Sequence, residues 1–159
     1  MPIFSKNNSY TIKDTAKLYA GIYKNWSWER FYALKEIFKI DTNRKVKRLS
    51  KGMQKQVAFW LSISAKPDIM LLDEPVDGLD PVMRRNVWSL VLSDVAENGT
   101  TVLISSHNLR ELEDVCDHVG IMDKGKMLLE RSLADMQGST VKVQLVGEIP
   151  ENLNVLHET

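Results

Sequence analysis

The stretch DIMLLDEPVDGLDP, residues 68–81, indicates the class of fold that the chain adopts. Its apolar run is short, is bounded by two prolines and ends in the carboxylates of Asp73 and Glu74. Such a run predicts a strand that is buried on both faces of a parallel sheet. Asp80 then predicts the N-cap of a helix that has Pro81 in its first position. A buried strand followed by a helix is typical of α/β proteins.

Downstream of this stretch, the sequence continues to alternate helices and strands. The helix after Asp80 is predicted to end at Gly99. Its apolar face is predicted from Met83, Val87, Leu90 and Val91. The later predicted elements are a strand in TTVLISSH (100–107), a helix in NLRELEDVCDHV (108–119), two strands in HVGIMDKGKMLLE (118–130), a short helix in SLADMQ (132–137) and a half-exposed strand in VKVQLVG (141–147).

Upstream of the stretch, the pattern is helical. Thr11 and Asp14 have the spacing of a capping box, which predicts a first helix near residues 12–23. Asn25 or Ser27 is the expected cap of a second helix. Its apolar stripe is predicted from Trp28, Phe31, Leu34 and Phe38, and its solvent face from Glu29, Arg30, Lys35 and Lys39. A third helix is predicted to bury Val57, Trp60, Leu61 and Ser64 and to stop before Pro67.

The composition is that of a globular chain with one core, because 43% of the 159 residues are hydrophobic and 26% are charged. The net charge is zero, so no overall field draws the chain to nucleic acid or anionic lipid. The single cysteine, Cys116, forms no internal disulfide and fits a reducing compartment. The longest apolar patch, VAFWLSISA, is far shorter than the ~20 residues of a membrane helix, and the N-terminus lacks a secretory pattern. These features predict a soluble, intracellular protein.

Two carboxylates and a histidine stand where the predicted strands end. Asp73 is suited to hold Mg²⁺ through its water shell, and Glu74 to act as a general base toward water. Taken alone, Asp73 and Glu74 are explained equally well as two acids that end a strand and have no catalytic role. His107 fits either a phosphate-facing imidazole or an ordinary histidine, and Asp80 by itself is explained as a helix cap.

The segment LSKGMQKQ, residues 49–56, begins the third predicted helix. Ser50 and Gly52 lie where free backbone N–H groups favour an anion such as a terminal phosphate, although simple capping by Ser50 also explains them. The surrounding basic residues are Arg44, Lys45, Lys47, Arg48, Lys51 and Lys55. Because no aromatic residues are interleaved with them, a solvated basic face is favoured over a nucleic-acid interface.

The G-x-x-x-x-G-K pattern occurs once, in GIMDKGKM, residues 120–127. A phosphate-binding loop has Ser or Thr after the lysine and leads from a strand into a helix. Here Met127 follows the lysine, and the pattern on both sides is that of a strand. The segment is therefore interpreted as a hairpin and not as a nucleotide site.

Four motifs resemble those of the ATP-binding cassette (ABC) ATPases. LSKGMQKQ resembles the family's signature, IMLLDEP its Walker B strand with the catalytic glutamate, DGLDP its D-loop and LISSH its switch-histidine segment. The four occur in the family's order over residues 49–107, which makes the resemblance highly specific. Lys51 replaces a usual Gly, Met53 a usual Gln, and Asp77 a usual Asn or Ser. With LSKGM in place of LSGGQ, the sequence resembles the single-domain ATPase subunits of bacterial ABC exporters.

The resemblance implies a partial P-loop NTPase fold, in which a helical subdomain precedes a mostly parallel sheet with flanking helices and a C-terminal hairpin. It implies ATP and Mg²⁺ as cofactors, with Asp73 orienting Mg²⁺, Glu74 polarising the attacking water and His107 stabilising the γ-phosphate. The signature residues implied to contact ATP on a second subunit are Ser50, Lys51, Gly52 and Gln54, and the D-loop residues are Gly78, Leu79 and Asp80.

In this family a phosphate-binding loop precedes the signature, and neither Gly-Lys-Ser nor Gly-Lys-Thr occurs between Met1 and Leu49. We therefore interpret the chain as the C-terminal part of an ABC ATPase, through truncation, a split reading frame or degeneration. Because that loop holds the β and γ phosphates, the chain alone is expected to bind Mg-ATP very weakly and not to hydrolyse it. The missing strand would leave an unpaired edge beside TVLISSH, which predicts aggregation or a homo-oligomer.

The predicted regions are a helical subdomain over residues 1–66, an α/β core over 67–137 and the start of a C-terminal strand region over 138–159. The resemblance implies a membrane permease as partner, a second ATPase subunit in a head-to-tail dimer, and a location at the inner face of the membrane. Two alternatives stay open. One is a non-catalytic regulatory module that donates its signature to a complete subunit, and the other is a soluble ABC protein of translation or chromosome maintenance.

Overall fold

The computed structural model of the chain describes residues 10–137, so the predicted strand VKVQLVG, residues 141–147, lies outside the described residues. The chain divides into two units, Met1–Val115 and Cys116–Thr159, which are called the first and second units below. In the described residues, no helix is both long enough and apolar enough to cross a membrane. The three predicted regions do not coincide with this division and stay a prediction.

The first unit begins with three helices, as the sequence predicts. They are α1 (Ile12–Ile22), α2 (Trp28–Phe38) and α3 (Lys51–Ser64), with a short 3-10 turn at Val46–Arg48. Thr11 and Asp14 form the expected capping box of α1. Of the two candidate caps for α2, Ser27 is the one used, since its side chain accepts a hydrogen bond from the backbone N–H of Arg30. Local capping chemistry therefore sets where these helices begin.

An aromatic cluster joins α2 to α3. The indole ring of Trp60 is fully buried and stacks on the rings of Phe31, at 4.7 Å between centroids, and Phe38, at 5.6 Å. The indole N–H donates a hydrogen bond of 2.8 Å to the backbone carbonyl of Phe31. Phe31, Leu34 and Phe38 of the predicted apolar stripe of α2 are therefore in the core, whereas Trp28, also predicted for the stripe, is 36% exposed because it lies at the first turn of the helix.

One residue of the predicted solvent face of α2 is an exception. Arg30 does not face solvent freely but forms an ion pair with Asp94, whose side chain is 1% exposed. The prediction was wrong for Arg30 because a partner 64 residues away in sequence neutralises its charge. The pair ties α2 to a helix in the α/β part of the first unit.

The α/β part contains two parallel strands separated by a helix. These elements are β1 (Ile69–Asp73), α4 (Pro81–Asn98) and β2 (Thr101–Ser105). Asp80 caps α4 as predicted, accepting hydrogen bonds of 3.0 Å from the backbone N–H groups of Val82 and Met83. Gly99 ends α4 in the left-handed conformation that glycine adopts most readily.

Burial of β1 on both faces is a prediction that the structure contradicts. Met70 is buried in the core, whereas Ile69 and Leu71 on the opposite face are 66% and 72% exposed. The prediction was wrong because, in residues 10–115, packing elements cover only one face of the sheet. β1 pairs with β2 alone, so neither outer edge of this sheet is paired in the described residues.

The helix predicted over NLRELEDVCDHV is much shorter than expected. It forms only α5 (Leu109–Leu112), at the end of the first unit. Glu113 and Asp114 follow directly, and negative charge at the C-terminal end of a helix opposes the helix dipole. The two acids therefore disfavour continuation of the helix toward Cys116.

The second unit contains the predicted hairpin. It is built from β3 (His118–Asp123) and β4 (Lys126–Ser132), which pair antiparallel and are followed by α6 (Leu133–Gln137). Lys124 and Gly125 form the two-residue turn, both with positive φ, as tight hairpin turns require. GIMDKGKM is therefore strand, turn and strand, and not a phosphate-binding loop.

Candidate functional site

The carboxyl ends of β1 and β2 bring Asp73 and Ser105 together. The two residues are paired in the parallel register, and the Ser105 hydroxyl donates a hydrogen bond of 2.5 Å to Asp73 Oδ1. Ligand sites of α/β sheets typically lie at this end of the strands. Sequence reasoning missed Ser105, although its position two residues before His107, at the end of the second strand, was a usable signal.

Glu74 and His107 are in direct contact beside this pair. Glu74 Oε1 accepts a hydrogen bond of 3.1 Å from the backbone N–H of His107 and lies 2.8 Å from its Nδ1. The Glu74 backbone has a φ of +44°, a conformation that is uncommon outside glycine, and its N–H donates to the Ser105 carbonyl at 3.1 Å. Glu74 is therefore held at the strand end by both its backbone and its side chain.

The oxygen atoms at this end suit a hard cation. Mg²⁺ prefers one or two carboxylate oxygens and keeps several of its waters. The exposed carboxylate of Asp73, oriented by Ser105, fits that preference. In the described residues, no three His, Cys, Asp or Glu side chains are grouped to form a complete metal site.

The pKa of His107 is raised above the ordinary 6.5, first by its hydrogen bond to Glu74 and then by the charge of that carboxylate. The imidazole is therefore expected to stay protonated at higher pH than a free histidine. Glu74→Gln should lower this pKa toward the ordinary value, as measured by NMR titration of the His107 ring.

Glu36→Gln is the matched control for this titration, because it removes a carboxylate on α2 without changing the contact of His107 with Glu74. It should leave the titration of His107 unchanged. An equal pKa in the wild type and in Glu74→Gln would contradict the contact.

The N-terminus of α3 forms a second cluster with the loop that precedes α4. Ser50 caps the helix by accepting a hydrogen bond of 3.2 Å from the backbone N–H of Met53. Lys55 Nζ donates to the Asp77 carbonyl at 2.8 Å and to its carboxylate at 3.2 Å. A Cβ atom on Gly52 would lie 3.6 Å from the Gly78 carbonyl oxygen. The segment that resembles the signature is therefore packed directly on the segment that resembles the D-loop.

The other predicted residues of this cluster have local roles in the structure. Gln54 donates its side-chain amide to the Leu49 carbonyl at 3.0 Å, and the side chain of Lys51 is exposed. Leu79 is buried in the core, while Gly78 supplies a φ of +73° to the turn. Sequence reasoning named Lys55 only as part of a basic face, since its bond to Asp77 depends on the tertiary fold.

Comparison with known proteins gives a consistent family. A family model described as "AAA domain, putative AbiEii toxin, Type IV TA system" matches residues 18–113, more than half of the chain. The chain is 31% identical over 154 residues to "ABC transporter ATP-binding protein YtrB" of Bacillus subtilis. The aligned residues are 97% of this chain and 52% of that protein. The chain belongs to this AAA-domain family. Its curated relatives are ABC transporter ATP-binding proteins.

Further similarities agree with the ABC ATPase family. "Uncharacterized ABC transporter ATP-binding protein YcbN" of Bacillus subtilis is 34% identical over 149 residues, which are 91% of this chain and 48% of that protein. A solved ATP-binding subunit of an ABC transporter has a TM-score of 0.74 at 23% identity, covering 83% of this chain and 57% of its own. The partial P-loop NTPase fold expected of an ABC ATPase is thus confirmed. The chain spans about half the length of the curated ABC relatives it matches.

Proposed function

We propose that this chain is an ATP-binding subunit of an ABC transporter, or part of one, that couples ATP binding and hydrolysis to transport through a separate membrane permease. The observation that carries the proposal is the meeting of Asp73, Glu74 and His107 at the carboxyl ends of two parallel strands. Phosphoryl transfer to water uses a carboxylate that suits Mg²⁺, a carboxylate that acts as a base, and an imidazole that can be protonated.

In this proposal each residue at the strand ends has one role. Asp73, oriented by Ser105, would hold Mg²⁺, which neutralises charge on phosphate oxygens when ATP is bound. Glu74 would accept a proton from the attacking water. Because Nδ1 of His107 faces Glu74, the other ring nitrogen, Nε2, is the one free to donate to a phosphate oxygen.

The N-terminus of α3 would act on ATP bound to a second subunit in a head-to-tail dimer. Its backbone N–H groups and helix dipole favour a terminal phosphate, and Ser50 and Lys51 are exposed there. The proposed contact residues are Ser50, Lys51, Gly52 and Gln54. The loop of Gly78, Leu79 and Asp80 would couple the strand-end site to the N-terminus of α3, since Gly78 lies next to Gly52 in the same chain.

The proposed permease contact is the helical region, which would hold the chain at the inner face of the membrane. Supporting this, α1 and α2 present a group of exposed large apolar side chains. They are Leu18, Ile22, Tyr23, Trp28 and Tyr32. Exposed apolar groups of this kind mark protein or membrane contacts.

The expected test compares ATP hydrolysis by the chain alone, by a complete ABC ATPase such as YtrB, and by their mixture. We expect the chain alone to show no hydrolysis, because its sequence contains no Gly-Lys-Ser or Gly-Lys-Thr to hold the β and γ phosphates. Activity of the chain alone that disappears in Glu74→Gln would contradict this expectation.

The mixture separates the leading function from the alternative of a regulatory module that donates its signature. Stimulation of the complete ATPase that is lost in Ser50→Arg would favour the regulatory module. Ser89→Arg is the matched control, because Ser89 is an exposed serine on α4, away from the N-terminus of α3. If neither the wild-type chain nor Ser89→Arg stimulates the complete ATPase, the transporter-subunit function is the one supported.

A further inference from the structure

The His107 side chain is exposed and lies among three acids. It is 77% exposed, so packing alone does little to fix the direction of the imidazole. Glu74 contacts its Nδ1, and after Glu74 the negative charges of Asp77 and Glu111 also raise the pKa of His107. A protonated imidazole is therefore attracted by three carboxylates, of which it contacts one.

Hydrogen bonds of the backbone place the two outer acids close to the histidine. The Asp77 N–H lies 3.4 Å from the Glu74 carbonyl, to which it donates. The Glu111 N–H donates at 3.2 Å to the carbonyl of Asn108, the residue that follows His107. Neither acid can therefore move away from the strand ends without a change in the backbone.

Each outer acid is held by a basic residue from another helix. Lys55 of α3 binds Asp77, and Arg84 of α4 forms an ion pair with Glu111 of α5. The second pair is the less exposed, since the side chains of Arg84 and Glu111 are 37% and 17% exposed. Water and salt screen partly buried pairs less than exposed ones. Glu74, by contrast, has the imidazole itself as its ion-pair partner.

The Arg84–Glu111 ion pair joins α4 to α5, which begins two residues after His107. We propose that Arg84 is a positioning residue for His107. By holding the Glu111 carboxylate, Arg84 keeps that carboxylate from binding the imidazole, which stays in contact with Glu74. The use of this arrangement in phosphate binding rests on the proposed function, because it leaves Nε2 of His107 free. The contact itself is testable without ATP.

The test follows the His107 ring of the full chain by NMR titration and uses Glu74→Gln to report the contact. In the otherwise wild-type chain, Glu74→Gln lowers the pKa of His107. In Arg84→Met, Glu111 has lost its partner and competes for the imidazole, so Glu74→Gln should lower that pKa less. Arg85→Met is the matched control, because it removes the neighbouring, exposed arginine of α4. In that background Glu74→Gln should have its full effect.

A double variant separates this competition from the simple loss of a link between α4 and α5. Arg84→Met combined with Glu111→Gln lacks the link but also lacks the competing carboxylate. Glu74→Gln should therefore recover its full effect on the pKa of His107 in this background. An effect that stays reduced would show that Arg84 acts only by holding α5, and the proposal would be overturned.

Two other results would overturn the positioning role of Arg84. They are an equal effect of Glu74→Gln in the wild type and in Arg84→Met, and an equal reduction in Arg85→Met. Circular dichroism checks that each variant is folded, and Arg84→Gln gives the same comparison if Arg84→Met is not. Because no titration uses ATP, their failure would leave the proposed function standing, whereas the hydrolysis measurements test that function alone.

Discussion

Replacing Trp60 with alanine is expected to lower the free energy of unfolding of the first unit by about 4 kcal/mol. The indole is fully buried, stacks on Phe31 and Phe38, and satisfies its N–H at the Phe31 carbonyl. Truncation removes both stacking contacts and leaves a cavity between α2 and α3 that the surrounding rings fill only in part. Urea unfolding followed by far-ultraviolet circular dichroism measures the change.

Two further variants divide the effect of Trp60 into its parts. Trp60→Phe keeps a ring in the stack but loses the hydrogen bond, and its free energy of unfolding should fall by roughly 1–2 kcal/mol. Trp28→Ala removes a tryptophan from the half-exposed side of α2. It should lower the free energy of unfolding clearly less than Trp60→Ala does. If Trp60→Ala were no more destabilising than Trp28→Ala, the cluster would not be the centre of the helical region.

Replacing Arg30 with methionine is expected to destabilise the first unit by about 3 kcal/mol at neutral pH. Asp94 is 1% exposed, and within the described residues its Oδ2 atom has no hydrogen-bond partner. Without Arg30, the side-chain amide of Asn98 is the remaining donor to the carboxylate, at 2.9 Å. The variant therefore leaves a buried charge that is poorly compensated.

The destabilisation of Arg30→Met should depend on pH in a definite direction. Burial raises the folded-state pKa of Asp94 above 3.8, and the nearby Arg30 opposes that rise. Because the folded-state pKa of Asp94 is raised, the stability that this carboxyl contributes is complete below pH 3.8 and is lost as pH rises through the folded-state pKa. Removing Arg30 raises the pKa further, so the penalty of Arg30→Met should shrink as falling pH neutralises the carboxyl. Urea unfolding at a series of pH values measures this dependence.

Two controls test whether the buried charge is the cause. Arg30→Met combined with Asp94→Leu removes both charges and should recover most of the lost stability. Lys35→Met removes an exposed cation from the same helix and should change stability by no more than about 0.5 kcal/mol. A penalty that is independent of pH, or that persists in the double variant, would assign the effect to packing.

The family of the chain and the positions of most helices and strands could be predicted from the sequence. Thr11, Ser50 and Asp80 cap their helices in the structure as the local pattern predicts, because a cap involves residues only two or three positions apart. The hairpin was also predictable, since the two-residue turn Lys124–Gly125 sits between two strand patterns. The assigned nucleotide contacts stay predictions, because they concern a ligand and a second subunit.

The remaining features depend on contacts between residues that are distant in sequence. Arg30 meets Asp94 across 64 positions, Ser105 reaches Asp73 across 32, and Lys55 reaches Asp77 across 22. No local pattern encodes such pairs, because they depend on which elements the core brings together.

The sequence by itself determined the order of the motifs, the helix caps and the resemblance of the chain to the ABC ATPases. Only the tertiary structure decided that Glu74 contacts His107, that Ser105 orients Asp73 and that Leu71 lies on an open face. The physical reason is that an apolar run indicates only that a strand can be buried, whereas its actual burial depends on the layers that pack against it.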